Sequence, residues 1–277
     1  AREEKVMPVR QNIQRTKKTT VHGIIFVMFS ALLASTLSSF LGLIGGFSLL
    51  AGRSAVKRWS RYFVSYAAGA LLGAAFFDLL HEAVEEFPSS ITFTFTWVMV
   101  GFLLFFMIER LLLWHHHSHH DEEHVDRNVL RPLVILGDAI HNFIDGLVIG
   151  ASFLVDPALG VTTSIAVFAH EIPQEIGDFT MLILSGMPRR QIINWNLLGA
   201  LISPIGTLAT FWVASVVDGL ELPLLGLSAG MFIYIAAADL IPEIHQEKKG
   251  GTMFGQFALL ILGILTIVGV GKVFPHG

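Results

Sequence analysis

Two short segments of this sequence carry side chains that could do chemistry, and both lie inside long apolar stretches. The first reads Gly137-Asp138-Ala139-Ile140-His141-Asn142-Phe143-Ile144-Asp145-Gly146, and the second reads His170-Glu171-Ile172-Pro173-Gln174-Glu175-Ile176-Gly177-Asp178. An ionisable group at mid-membrane depth costs several kcal/mol, so such residues are rare there and are candidates for function.

Helical periodicity gathers the polar residues of each segment on one face. In the first helix, an arc at about 100° per residue holds Asp138, His141, Asn142 and Asp145. In the second helix, one face holds His170, Glu171, Gln174, Glu175 and Asp178. Because both faces lie deep in lipid on consecutive antiparallel helices, we expect them to be buried against each other.

The predicted cluster combines imidazole nitrogens with carboxylate and amide oxygens. That donor set suits zinc, iron(II), manganese, cobalt or cadmium, whereas magnesium and calcium prefer oxygen ligands alone. The chain has no cysteine, so a thiolate site is excluded. Two alternatives stay open, since isolated polar groups often hold membrane helices together and a relay of such residues can carry protons.

Two further polar groups suggest a route to and from this cluster. One face of the second apolar stretch is expected to carry Asp78, His81, Glu82, Glu85 and Glu86. The end of the seventh stretch carries Asp239, Glu243 and His245. Acidic side chains at an opening raise the local concentration of cations, although a solvated helix end explains Glu85 and Glu86 equally well.

A histidine-rich tract lies between the third and fourth stretches, in a loop that we place at residues 115–128. Its histidines are His115, His116, His117, His119, His120 and His124. Tracts of this kind bind metal ions without needing a fold. We interpret this one as a cytoplasmic metal sensor or buffer.

Composition indicates which kind of structure must position these residues. The chain is 53% hydrophobic and only 14% charged, whereas a soluble domain carries about 25% charged residues. Eight stretches approach the ~20 apolar residues that cross a bilayer, and the alternation of barrel strands is absent. They are residues 22–50, 62–82, 91–113, 130–154, 159–185, 192–216, 222–242 and 252–274.

We therefore predict an all-α membrane protein, an eight-transmembrane-helix bundle. It forms a single transmembrane domain at 21–277, after a polar N-terminal tail at 1–20 that we do not interpret as a signal peptide. The net charge is −4 and no long basic stripe follows the tail, which argues against a nucleic-acid partner.

Basic residues alternate between successive loops and predict the orientation. The odd-numbered loops carry or adjoin Arg53, Lys57, Arg58, Arg61, Arg110, Arg127, Arg131, Arg189, Arg190, Lys248 and Lys249, and the even-numbered loops have none. Short cytoplasmic loops collect Lys and Arg, so we place the odd loops in the cytoplasm and both termini on the extracytoplasmic side. The basic tail favours the opposite orientation, and the seven loops outweigh it.

The paired segments resemble the signature helices of the ZIP (Zrt-, Irt-like protein) family of divalent metal transporters. HNFIDG, from His141 to Gly146, and HEIPQEIGD, from His170 to Asp178, are close to the forms in its LIV-1-like branch and in bacterial members. DLIPEIH, from Asp239 to His245, is similar to the family's seventh helix. The resemblance implies zinc uptake into the cytoplasm, with ligands at the matching positions His141, Asn142, Asp145, His170, Glu171 and Gln174.

Two positions depart from the family pattern. Gln174 stands where the family usually has His or Glu, and Ser203 precedes Pro204 where bacterial relatives with two adjacent ions have Glu. A neutral amide cannot bridge two cations as a carboxylate does, so the departures favour one principal ion. The residues assigned to an additional transport pathway are Asp78, His81, Glu82, Asp138, Glu175, Asp178, Ser203, Asp239, Glu243 and His245.

The sequence thus predicts a transporter in the plasma membrane and no enzyme. Its transported substrate is zinc, with iron, manganese, cobalt or cadmium as alternatives, and its partners are these ions and the lipid bilayer. Efflux and metal–proton exchange use similar ligands and stay open. An intramembrane zinc hydrolase, which would keep one coordination position for water, and a homodimer stay open as well.

Overall fold

The computed structural model describes residues 21–51, 53–86, 90–117, 127–217, 219–245 and 250–273. Within these ranges the chain forms eight long helices and no strand. They are α1 (Val21–Ala51), α2 (Arg53–Gly73, continued by Ala74–Leu79 and Leu80–Glu86), α3 (Ile91–His117), α4 (Arg127–Val155), α5 (Pro157–Leu184), α6 (Arg189–Ala200 and Ile202–Val216), α7 (Glu221–Tyr234, continued by Ile235–Leu240 and Ile241–His245) and α8 (Gly250–Val273).

Seven of the eight helices are long and apolar enough to cross a membrane. The eighth, α5, has 28 residues, which gives it a length of roughly 42 Å, more than a bilayer core requires. The polar residues on one face of α5 make this helix less apolar than the other seven. The prediction of an all-helical membrane protein is confirmed, and the number of helices agrees with the eight expected.

A sharp corner joins α4 to α5 and makes them antiparallel neighbours. Asp156 separates them, and its Oδ1 accepts hydrogen bonds from the backbone N–H groups of Ala158, at 2.7 Å, and Leu159, at 3.1 Å. Pro157 occupies the first helical position, where its missing N–H costs no hydrogen bond. The two helices that carry the polar segments therefore meet directly.

Close helix pairs build the bundle. α1 packs along α5, α2 along α8, α3 along α7 and α4 along α6. Each contact uses glycines whose missing side chains let a neighbouring helix come near, as expected where small residues line membrane helix interfaces. These glycines include Gly42, Gly45, Gly46, Gly69, Gly101, Gly146, Gly206, Gly230 and Gly263. The apolar core lies between these pairs.

Three helices depart from the uninterrupted helices that we expected. α2 and α7 each contain a six-residue π-helical segment, Ala74–Leu79 and Ile235–Leu240. α6 breaks at Leu201, three residues before Pro204. Because proline has no N–H to bond the carbonyl of Ala200, Pro204 gave a sequence signal for this break. The π-helical segments have no comparable signal.

Gly146 tests the packing of α4 against α6. A Cβ at this position would lie 1.8 Å from the carbonyl oxygen of Ser203, so Gly146→Ala must push two backbones apart. We expect a loss of stability of about 1–3 kcal/mol, measured as a lower thermal unfolding midpoint of the purified protein in detergent. Gly269→Ala is the matched control, because its Cβ would meet no atom within 4 Å. Equal midpoints for Gly146→Ala and wild type would contradict the described contact.

Candidate metal centre

Four side chains from α4 and α5 converge between the two helices. His141, Asp145, His170 and Glu171 each offer one ligand atom, and these four atoms lie within 4.8 Å of one another. His141 is partly buried, and the other three side chains are at most 1% exposed. We call this group the histidine centre.

The shortest distance within the histidine centre is between the two imidazole rings. His141 Nε2 and His170 Nε2 are 3.0 Å apart. Asp145 Oδ2 lies 3.2 Å from His170 Nε2 and 3.7 Å from His141 Nε2. Two nitrogens bound to one tetrahedral zinc ion stand about 3.3 Å apart. The three atoms are therefore spaced as the ligands of a single ion would be.

The backbone of α5 orients one imidazole toward the centre. His170 Nδ1 lies 3.3 Å from the carbonyl oxygen of Ala166, one turn earlier in the helix. An Nδ1–H donated to that oxygen leaves the lone pair of Nε2 free for a cation, which is the usual second contact of a metal-binding histidine. The rings of Phe105 and Phe232 lie against His141 and His170 at centroid distances of 5.9 and 6.3 Å.

Glu171 is fully buried where α1 crosses α5. Neither of its carboxylate oxygens has a hydrogen-bond partner among the described residues. A Cβ on Gly42 of α1 would lie 2.7 Å from the Glu171 Cβ and 3.3 Å from Oε2, so the glycine leaves the room that this side chain occupies. A buried carboxylate without a partner is costly, and a cation at the centre would supply one.

Asn142 stands beside the centre with its amide oriented by hydrogen bonds. Its Nδ2 donates to Asp138 Oδ1 at 2.8 Å and to the Asp138 carbonyl at 3.2 Å. Its Oδ1 is buried and has no partner among the described residues. The amide oxygen is thus left as a free donor atom for a cation.

A cavity of about 350 Å³ opens beside the histidine centre. Gln174, expected to be a ligand, lies in its wall together with His141 and His170. The π-helical segment of α7 contributes Asp239, one of the predicted pathway residues, to the same wall. Asp138 and Asp178 line the cavity too. Polar atoms from three helices therefore face one space.

The polar residues of α2 separate into two groups instead of sharing one face. Asp78 and Glu82 are buried in the bundle, while His81 and Glu85 are exposed and lie 3.7 Å apart as a pair. The shared face that we expected is therefore wrong for His81 and Glu85. The π-helical segment just before them advances fewer degrees per residue than an α-helix, which shifts the faces of the following turn.

The remaining expected residues lie elsewhere. Ser203 is buried where α6 meets α4, and its Oγ has no partner among the described residues. Glu243 and His245 belong to the last turn of α7, with His245 exposed. The backbone of His115, His116 and His117 ends α3, whereas His119, His120, His124 and the tail at 1–20 lie outside the described residues.

Two functional candidates were missed by sequence reasoning. The Tyr234 hydroxyl of α7 donates a hydrogen bond to the Glu109 carboxylate of α3, and the Tyr234 ring packs against Phe105, which contacts His141. Glu109 interrupts an apolar helix, so the rule that singled out the other intramembrane acids could have found it. Tyr234 gives no such signal.

Comparisons with known proteins identify relatives of this chain. The model of the ZIP zinc transporter family matches residues 20–132 and 115–271. Zinc transporter ZIP10 of Mus musculus is 44% identical over 138 residues, which cover 48% of this chain and 17% of that protein. Zinc transporter foi of Drosophila melanogaster is 43% identical over 138 residues, 50% of this chain and 19% of that protein.

A third relative carries a different description. Metal cation symporter ZIP14 of Xenopus tropicalis is 38% identical over 145 residues, which cover 51% of this chain and 31% of that protein. The match thus spans less than a third of the length of each of these three relatives. Because the family model covers nearly the whole chain, the chain belongs to the ZIP zinc transporter family.

Proposed function

We propose that this chain carries zinc ions across a membrane and that the histidine centre binds the ion on its way. The observation that carries the proposal is the 3.0 Å approach of His141 Nε2 and His170 Nε2, with Asp145 Oδ2 at 3.2 Å, inside a bundle of apolar helices. The names of the relatives, zinc transporter and metal cation symporter, support it. Asn142, Glu171 and Gln174 complete the proposed ligand set.

The donor chemistry favours zinc over harder ions. Two imidazole nitrogens and carboxylate oxygens form a set that four-coordinate zinc accepts readily, whereas calcium and magnesium require more oxygens. Iron(II), manganese, cobalt and cadmium accept the same atoms and are alternative substrates. Because four protein side chains converge on the centre, transport fits better than a hydrolase, which keeps a position for water.

The position of the cavity supports release into the cytoplasm. Its walls continue from the histidine centre toward the start of α4 and the ends of α5 and α7. Those helix ends adjoin the third, fifth and seventh loops, whose basic residues favour a cytoplasmic location. Both termini then lie outside, the structure faces inward, and transport is uptake through the plasma membrane. In this orientation Asp78 and Glu82 lie in the outer half of α2, and the histidine-rich tract of loop three buffers released ions.

Replacing both imidazoles tests the site. We expect His141→Ala/His170→Ala to weaken zinc uptake by on the order of 100-fold or more, because each neutral nitrogen supplies a large share of the binding free energy. The measurement is uptake of radiolabelled zinc into proteoliposomes. His81→Ala is the control, since this exposed histidine pairs with Glu85 away from the centre. Uptake at the wild-type rate by the double variant would rule out this site, and export in oriented vesicles would reverse the direction.

Acid should weaken zinc binding at the histidine centre. Protons compete with the ion for the imidazole and carboxylate atoms that bind it, so the apparent affinity falls as pH falls from about 7.5 to about 5.5. The measurement is the zinc concentration that gives half-maximal uptake, with free zinc buffered at each pH. An affinity that stays constant over this range would contradict imidazole ligands. The variant His141→Ala/His170→Ala should lose this dependence together with uptake.

The variant Gly42→Ala tests whether α1 positions the Glu171 carboxylate. A methyl group at position 42 would collide with the Glu171 Cβ at 2.7 Å and shift the ligand oxygens. We expect Gly42→Ala to weaken zinc binding by roughly tenfold, as other changes around ligands do. Competition with a chelating dye measures the affinity of the purified protein. Gly269→Ala, with no atom within 4 Å of its Cβ, should bind as wild type. Unchanged affinity in a folded Gly42→Ala variant would remove Glu171 from the ligand set.

A further inference from the structure

Three carboxylates form a second polar cluster next to the histidine centre. Asp138 belongs to α4, and Glu175 and Asp178 belong to α5. Asp138 and Glu175 lie about one helical turn from His141 and Glu171, and Asp178 lies about two turns from Glu171, in the direction of the cavity walls. Asp138 and Asp178 line the same cavity, and Glu175 lies three residues before Asp178 on the same side of α5. We call these residues the carboxylate triad.

Within the part of the chain that the structure describes, no basic side chain forms an ion pair with the carboxylate triad. Asp138 is 6% exposed and Glu175 is 1% exposed. Glu175 Oε2 and Asp178 Oδ2 have no hydrogen-bond partner among the described residues. Arg131, the nearest basic residue of α4 in sequence, instead donates to the Ser185 hydroxyl at 3.1 Å and to the Ser185 carbonyl at 2.7 Å. Like charges so placed repel each other and favour a bound cation.

The surrounding helices leave room for these side chains. A Cβ on Gly199 of α6 would lie 2.3 Å from Asp138 Oδ2, so this glycine is needed for Asp138 to take its position. A Cβ on Gly177 would meet no atom within 4 Å, and Gly177 lines the cavity together with Asp138 and Asp178. Glu175 is therefore closed in, while its two partners face open space.

We propose that the carboxylate triad is a second cation station, which receives the ion after the histidine centre and passes it to the cavity. The proposal rests on the proposed function and extends it to a named second site. Asn142 joins the two sites, because its Nδ2 donates to Asp138 while its Oδ1 stays free beside the histidine centre.

The ligand chemistry of the triad differs from that of the histidine centre. It offers oxygen atoms alone, which suit a partly hydrated divalent cation and accept manganese as well as zinc. Positions 174 and 203 carry the neutral side chains of Gln174 and Ser203, so neither adds a carboxylate to the histidine centre. A second ion therefore finds negative partners in Asp138, one turn before His141 in α4, and in Glu175 and Asp178, one and two turns after Glu171 in α5.

The number of metal ions bound per chain of the purified protein tests the second station. Equilibrium dialysis against zinc should give two ions per chain in the wild type and one in Asp138→Asn/Glu175→Gln. The variant His141→Ala/His170→Ala should keep one ion, and electron paramagnetic resonance should detect manganese bound in its place. Glu85→Gln is the matched control, because this exposed carboxylate lies outside both sites, and it should bind two ions.

The outcomes separate the two proposals. A wild type that binds one ion, lost in His141→Ala/His170→Ala, would overturn the second station and leave the proposed function standing. Two zinc ions bound to Asp138→Asn/Glu175→Gln, with fewer protons released per zinc, would also overturn it, since the triad would then hold protons. Wild-type zinc uptake by His141→Ala/His170→Ala would instead overturn the proposed function.

A single substitution tests the proposal if the double variant Asp138→Asn/Glu175→Gln does not fold. Asp178 is only partly buried, so Asp178→Asn should keep the fold, judged by its elution from a size-exclusion column. We expect it to weaken binding of the second zinc ion about tenfold and leave the first unchanged. Equal affinity of both ions in Asp178→Asn and wild type would count against the station.

Discussion

Polar groups inside a membrane must find their partners within the protein, and this requirement organises the molecule. α4 and α5 carry imidazoles, carboxylates and an amide that lipid cannot solvate, at a cost of several kcal/mol for each unpaired charge. The two helices satisfy part of this requirement by placing the groups against each other, and the cation that we propose would satisfy the rest. The 3.0 Å approach of His141 and His170 and the unpartnered oxygens of Glu171 are the results of that arrangement.

The other helices hold this arrangement at the required distances. Asp156 caps α5 one residue after α4 ends, which makes the two helices antiparallel and sets their register. α1 and α6 then come close from the sides, and they can do so only because Gly42 and Gly199 leave space for Glu171 and Asp138. Small residues in these helices thus serve both the packing and the geometry of the polar sites.

Because of α7, the two sides of the histidine centre along the helix axes differ. Its π-helical segment brings Asp239 into the cavity wall on one side of the histidine centre. On α2, the other π-helical segment precedes the turn in which Glu82 is buried and His81 exposed. π-helical turns are often found at functional sites, and here each contains an aspartate followed by a leucine. The cavity of the described residues thus reaches the histidine centre from the side of Asp239, which fits the inward release that we propose.

The sequence alone determined the helical class, the eight apolar stretches and the two polar faces, because length, apolarity and a period of 3.6 residues are local properties. It also determined the identities of the donor atoms at His141, Asp145, His170 and Glu171. Tertiary structure decided which helices approach these residues, the separation of His81 from Asp78, the hydrogen bond between Tyr234 and Glu109, and the place of Asp239 in the cavity. These features depend on contacts between distant segments and on the change of helix phase at π-helical turns, and periodicity carries no information about either.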